Sequence, residues 1–168
     1  MGVHNGGSRR GFRRYHGNRV VAALNLGPKG TALIQSFERL CLVGYLDQGG
    51  VPTIGWGHTG PGIYEGQVCT IAQADAWFSQ DTAKAVQAVN ATVQVPLAQE
   101  QYDALVAFTF NVGASAEAHS TLCRLVNAGD MAGAAAEFPK WNHVGGVPSA
   151  GLTRRRAAEQ ALFTSAGL

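Results

Sequence analysis

Between Gly44 and His58 the chain reads Gly-Tyr-Leu-Asp-Gln-Gly-Gly-Val-Pro-Thr-Ile-Gly-Trp-Gly-His, with β-type runs at Gly44 to Asp47 and Pro52 to His58 on either side of Gly49-Gly50. Paired glycines supply the positive φ that a tight turn requires, so the stretch predicts a β-hairpin and fixes a small sheet in the surrounding fold. Side chains alternate along a strand, which puts Thr53, Gly55 and Gly57 on one face and Ile54, Trp56 and His58 on the other. Glycine weakens a strand, and two of them beside Thr53 predict a bare face where a ligand or another backbone comes close. A flat polymer such as a sugar chain fits that description.

Upstream, Leu33, Ile34, Phe37 and Leu40 recur at helical spacing over Thr31 to Leu42, with Pro28 at the opening and Glu38 in the last turns. The C-terminal end of a helix carries partial negative charge and disfavours the charged form of an acid, a direction that suits Glu38 to donate a proton. Asp47, on the hairpin, lacks that influence. Glycoside hydrolysis needs two carboxyls in unlike surroundings, one to protonate the leaving oxygen and one to act on water, and Thr53 is placed to hold that water. An isolated pair of acids is more often a solvated helix residue and a turn former. Here the whole constellation favours catalysis.

The spacing Glu38-x8-Asp47-x5-Thr53, running into Thr53-Ile-Gly-Trp-Gly-His-Thr59, resembles the phage-type lysozymes, the muramidase endolysins of glycoside hydrolase family 24. Phe110-Asn-Val-Gly113, Ser120-Thr-Leu-Cys-Arg124, Asn127-Ala-Gly-Asp130 and Gly151-Leu-Thr-Arg-Arg-Arg156 are similar to that family as well. The likeness runs from about Leu26 to the C-terminus and leaves residues 1 to 25 outside as a basic arm. It implies hydrolysis of the β-1,4 bond between N-acetylmuramic acid and N-acetylglucosamine in peptidoglycan, for host cell lysis. Glu38 is then the general acid, while Asp47 and Thr53 position the water in an inverting reaction with the carboxyls ~6.5–9.5 Å apart. Arg154 or Arg155 is expected to reach Glu38, because three arginines at the start of a helix oppose its dipole and need an anion. His58 and Asp81 are expected to form a structural ion pair, and Thr59, Phe110 and Asn142 to line the sugar cleft. For Phe110, as for Trp56 and Trp141, a place in the core is the stronger reading. A lytic transglycosylase needs an acid like Glu38 but no hydrolytic water, so Asp47 and Thr53 favour the hydrolase over it. They also disfavour a non-catalytic, cationic wall-binding protein.

The remaining chain predicts an α+β fold, mainly α, in which a small hairpin lobe and a larger helical lobe flank a cleft. Thr70-x-x-Gln73 has the form of a capping box, and Ile71, Ala74, Phe78, Ala85 and Val89 make one apolar stripe to about Asn90. Gln99 to Val112 is expected to be helical, closed by Gly113. Short helices follow at Thr121 to Asn127 and Asp130 to Trp141, then a loop from His143 to Ala150 and a last helix opened by Thr153.

At 168 residues and 46% hydrophobic, the chain is long enough for one good core and too short for two full-sized domains. Three widely spaced cysteines, Cys41, Cys69 and Cys123, imply no disulfide framework, and the scattered histidines imply no metal site or cofactor. The apolar stretch from Val20 to Leu26 is too short and interrupted to serve as a clear signal peptide. The expectation is therefore synthesis in the host cytoplasm and action on the wall after release. Six of the thirteen basic residues fall in the first thirty positions, where there is no acid, and the other 138 residues carry a net charge of −4. Such an arm suits anionic wall or outer-membrane polymers, although many clusters of this kind are only solvated tails. No nucleic-acid partner is expected, and the enzyme should act as a monomer.

Overall fold

The structure, a computed structural model, describes residues 24–47 and 49–168. Helix α1, Pro28–Phe37, starts with proline at its first turn, where the missing N–H costs nothing. Gly27, at the cap position before it, has no side chain to cap the helix, and Asp103 of a distant helix takes that role. The Asp103 carboxylate accepts from the N–H of Gly27 at 2.8 Å and of Gly30 at 3.0 Å. A Cβ at Gly30 would stand 2.8 Å from that of Asp103, so glycine permits the close docking. The helix ends earlier than the apolar spacing predicts, because Leu40 packs with Ile54 in the small lobe instead of extending the helical stripe. Glu38 terminates the helix with extended backbone, while its N–H still reaches Ile34 O at 3.2 Å.

Three antiparallel strands follow in the order β1 (Cys41–Leu46), β2 (Pro52–Gly55), β3 (His58–Thr59). The hairpin lies where the glycines predict it, with Gly50 at φ 74° and Asp47 N bonded to Val51 O at 3.0 Å. β1 begins at Cys41 rather than Gly44. The expected strand from Pro52 to His58 does not continue, because positive φ at Gly55 (64°) and Gly57 (89°) turns the chain back and His58 returns opposite Ile54. Alternation therefore fails beyond Gly55. Thr53, expected on a bare face, is only 4% exposed, between Tyr45 on β1 and Thr59 on β3. The close approaches at the two glycines come from the protein itself: a Cβ at Gly55 would meet Ala74 at 3.1 Å.

Helix α2, Ile71–Thr92, opens with the expected capping box of Thr70 and Gln73 and buries Ala74, Phe78, Thr82, Ala85 and Val89. Ile71, assigned to that stripe, is exposed in the first turn. Helix α3, Gln99–Val112, is the axis of the large lobe, with residues 101 to 109 all buried and Gly113 closing it at φ 88°. A helix buried on all sides must satisfy its polar groups internally. Asp103 does so on α1, and Thr109 by donating to Leu105 O. The main core gathers Leu105, Phe108, Leu122, Val126, Phe138 and Phe163 around it.

Past α3 lie α4 (Ala114–Ala118), not foreseen in the sequence, then α5 (Thr121–Asn127) and α6 (Met131–Glu137), capped by Asp130. A short 3-10 helix spans Phe138–Trp141. The expected loop from His143 is a second hairpin, β4 (His143–Val144) and β5 (Val147–Pro148), turned by Gly145-Gly146. Helix α7, Ala150–Thr164, is capped by Ser149 instead of Thr153. Thr153 sits inside it and donates to Ser149 O. The three arginines thus begin in the second turn, where the dipole acts weakly, and burial is what makes them need partners. No helix among the described residues is long and apolar enough to cross a membrane.

Candidate active site

Glu38 stands at the junction of α1 and β1 with 22% of its side chain exposed, and it meets three different surroundings there. On one side Arg155 Nη1 donates to its Oε1 at 2.8 Å. On another, Gly57 has no side chain, and a Cβ there would stand 3.2 Å from Oε2. Gly57 also lines a cleft of about 390 Å³, so the carboxyl lies just behind the cleft wall. Thr59, Lys84, Phe110 and Gly113 are among the other lining residues, drawn from both lobes. Of the residues expected to line the sugar site, Thr59 and Phe110 are brought together here. Asn142 is not, since its amide donates to Thr153 Oγ1 near the second hairpin. Phe110 also packs against the core, its ring 6.0 Å from that of Phe78.

Asp47 is exposed at the hairpin turn, where its Oδ1 accepts from the N–H groups of Gly49 and Val51, each at 2.8 Å. Those bonds hold one oxygen and fix the direction of the other. Thr53 Oγ1 donates to Val51 O at 3.0 Å, which leaves its lone pairs as acceptors. Tyr45, opposite Thr53 in the register, senses both acids. Burial raises its phenol above the ordinary value, as do Cys41, Glu38 and Asp47, while Arg39 opposes them. Sequence reasoning passed over Tyr45, although its place two residues before Asp47 was a signal.

Arg155, 5% exposed, is the arginine that reaches Glu38. Arg154 is exposed and forms no salt bridge among the described residues. Arg155 is held by the Phe37 ring, whose centroid is 5.6 Å from its guanidinium carbon, and by Glu159 Oε1 at 3.2 Å from Nε. Glu159 Oε2 accepts from Arg156 Nη1 at 2.6 Å, and Arg156 bonds Asn111 through Nη2 and stacks 5.0 Å over Phe108. Glu159 and Arg156 were not singled out in the sequence, yet the spacings of three and four residues on one helix face give them away. His58 Nδ1 lies 2.7 Å from Asp81 Oδ2, and the imidazole stacks on Trp77 at 5.1 Å. Lys84 also contacts Asp81, at 3.0 Å, so the pair joins β3 to α2 beside the cleft. Among the described residues no group of three or more His, Cys, Asp or Glu is arranged to hold a metal ion.

Comparison with known proteins places this geometry. The family model described as phage lysozyme matches residues 35–159, which include Glu38, Asp47, Thr53 and Arg155. The chain is similar to an endolysin of Acyrthosiphon pisum secondary endosymbiont phage 1, at 42% identity over 85% of this chain and all of that protein. It is also similar to an endolysin of Bacillus phage PZA, at 44% identity over 84% of this chain but only 56% of that longer protein. Among solved structures, the endolysin from Escherichia coli O157:H7 phage FAHEc1 superposes with a TM-score of 0.80 at 37% identity, covering 85% of this chain and 95% of that one. The fold is that of a lysozyme, an α+β arrangement that is mainly helical. With three quarters of its length matched and its two lobes meeting at a cleft beside Glu38, the chain belongs to the phage lysozyme family of peptidoglycan-hydrolysing enzymes.

Proposed function

We propose that this lysozyme cleaves the β-1,4 bond between N-acetylmuramic acid and N-acetylglucosamine with inversion at the anomeric carbon. The observation that carries the proposal is Glu38 directly behind Gly57 of the cleft wall, clamped by Arg155, with Asp47 and Thr53 on the opposite limbs of the adjoining hairpin. Glu38 protonates the glycosidic oxygen as the bond to carbon 1 breaks, and the electron pair leaves with that oxygen. A water molecule gives one hydrogen to Thr53 Oγ1 and the other to Asp47, whose turn bonds occupy Oδ1 and leave Oδ2 for this task. With both hydrogens so held, a lone pair on the water is directed at carbon 1, and Asp47 takes the proton as the new bond forms. Arg155 supports the site through its bond to the Glu38 carboxyl, and His58 and Asp81 support it from β3 and α2 without touching the reacting atoms.

The enzyme resides in the host cytoplasm before release and acts on the wall afterwards. Its domain runs from about Leu26 and acts as a monomer, with the arm adding attraction to anionic polymers. Residues 1 to 23 of the arm lie outside the described residues. Its attraction is electrostatic and screened over ~8 Å at physiological salt, so removing residues 1 to 23 should weaken binding to anionic vesicles at low salt and leave hydrolysis of purified peptidoglycan intact. The truncation stops at residue 23 because the carbonyls of Leu24 and Asn25 accept from Asn90 and Gln99. The main proposal is tested by digesting purified peptidoglycan and following the products by NMR. New reducing ends formed first as the α-anomer support it; 1,6-anhydro ends would mean a transglycosylase, and initial β-anomer would mean retention.

A further inference from the structure

Glu159 is the least explained charge in the molecule: an acid with 0% exposure, deep in α7, that touches neither solvent nor the cleft. Its two oxygens are divided between two cations, Oε1 on Arg155 Nε and Oε2 on Arg156 Nη1. Arg155 presents Nη1 to Glu38 from the same planar guanidinium. One cation thus lies between two carboxyls, one at the cleft and one buried. The charges of Arg155, Arg156, Glu159 and Glu38 cancel when all four are ionised, so loss of either negative charge leaves an uncompensated positive one. Neighbouring elements add little: on α6 and the 3-10 helix, Glu137 and Lys140 pair with each other at the surface, and Asp103 of α3 is committed to the start of α1. On the hairpin side, Glu38 acts on the Tyr45 phenol together with Cys41, Asp47 and Arg39.

We propose that Glu159 is a positioning residue of the active site, sharing the Arg155 guanidinium with Glu38 so that the protonation of either carboxyl governs that of the other. This rests on Glu38 being the general acid. When Glu159 is ionised it competes for Arg155, and Glu38 keeps its proton more readily; when Glu159 is protonated, Arg155 acts on Glu38 alone. The pairing also fixes the direction of Arg155, whose Nε could not face Glu159 if the guanidinium turned away from Glu38. Burial, opposed by both arginines, pushes the Glu159 carboxyl up to about 7, within reach of a titration.

Glutamate labelled with carbon-13 at Cδ tests this in the intact protein, with the two resonances assigned by their loss in Glu38→Gln and Glu159→Gln. Glu38 should titrate in two steps, one coinciding with the midpoint of Glu159, as coupled sites must. In Glu159→Gln the second step should vanish, and the basic limb of kcat/KM should steepen and move down by about one pH unit, as expected for one charge acting across a partly screened gap. In an Arg155→Gln background the same substitution should change neither. A single Glu38 step in the unmodified protein, unrelated to Glu159, overturns the proposal even if Glu159→Gln fails to fold. A lower Tm with an unmoved pH profile would also overturn it, reducing Glu159 to a core ion pair. Retention of activity by Glu38→Gln would instead overturn the underlying assignment of the acid.

Discussion

Replacing Gly57 by alanine probes the site through one methyl group. Gly57 has φ 89°, where a residue with a Cβ loses roughly 1–2 kcal/mol, and its Cβ would lie 3.2 Å from Glu38 Oε2. Gly62 is the matched control, with φ 85° and nothing within 4 Å of an added Cβ. Both variants should lose similar stability in urea melts. Only Gly57→Ala presses on Glu38, which cannot retreat freely because Arg155 holds the other oxygen at 2.8 Å. Relief of the contact needs a shift of a few tenths of an ångström. Since about 1 Å of misplacement costs on the order of 100-fold in rate, a smaller shift should cost about tenfold, or ~1.4 kcal/mol in the barrier. The assay is turnover of purified peptidoglycan per folded molecule, with the folded fraction taken from near-ultraviolet circular dichroism. If Gly57→Ala and Gly62→Ala have equal activity per folded molecule, the close approach of Gly57 to Glu38 does not matter to catalysis and the reasoning fails.

Asp103→Ala removes the acceptor for two backbone N–H groups at the start of α1 and should cost about 3 kcal/mol in urea denaturation, from charged bonds lost and donors left unpaired; less than about 1 kcal/mol would show that α1 is held otherwise. The raised Glu159 carboxyl predicts a pH dependence with a definite sign. The folded protein binds this proton more tightly than the unfolded chain, so the stability it contributes is fully present below about 4.5 and is lost as pH rises to about 7. The difference in Tm between the native protein and Glu159→Gln, followed across that range, checks it; a difference that does not vary with pH contradicts the assignment.

Local signals carried much of this architecture. The turn at Gly49-Gly50, the capping box at Thr70 and the span Gln99 to Val112 were legible because each depends on residues close in sequence. Errors arose where distant contacts decide. Leu40 fits a helical stripe, yet packing beside Ile54 takes it out of the helix, and positive φ at Gly55 and Gly57 folds an apparent single strand into two. The candidate site followed the same division. Glu38, Asp47 and Thr53 lie within sixteen residues and were found together, whereas Arg155 joins Glu38 across 117 positions. Motif resemblance narrowed that contact to two arginines, and only packing against Phe37 and Glu159 separates them. Tyr45, Glu159 and Asp103 act through neighbours that no periodicity brings together.

The account stands most directly on Glu38 as the proton donor, and Glu38→Gln measures it. Glutamine keeps the size of the side chain and an oxygen that can accept from Arg155 Nη1, so the protein should still fold, with a Tm lowered by the uncompensated Arg155 charge, while the transferable proton is gone. Turnover of purified peptidoglycan should fall by at least about 100-fold, the lower end of what a general acid contributes. A correctly folded Glu38→Gln protein that releases muropeptides within a few-fold of the native rate would contradict the account.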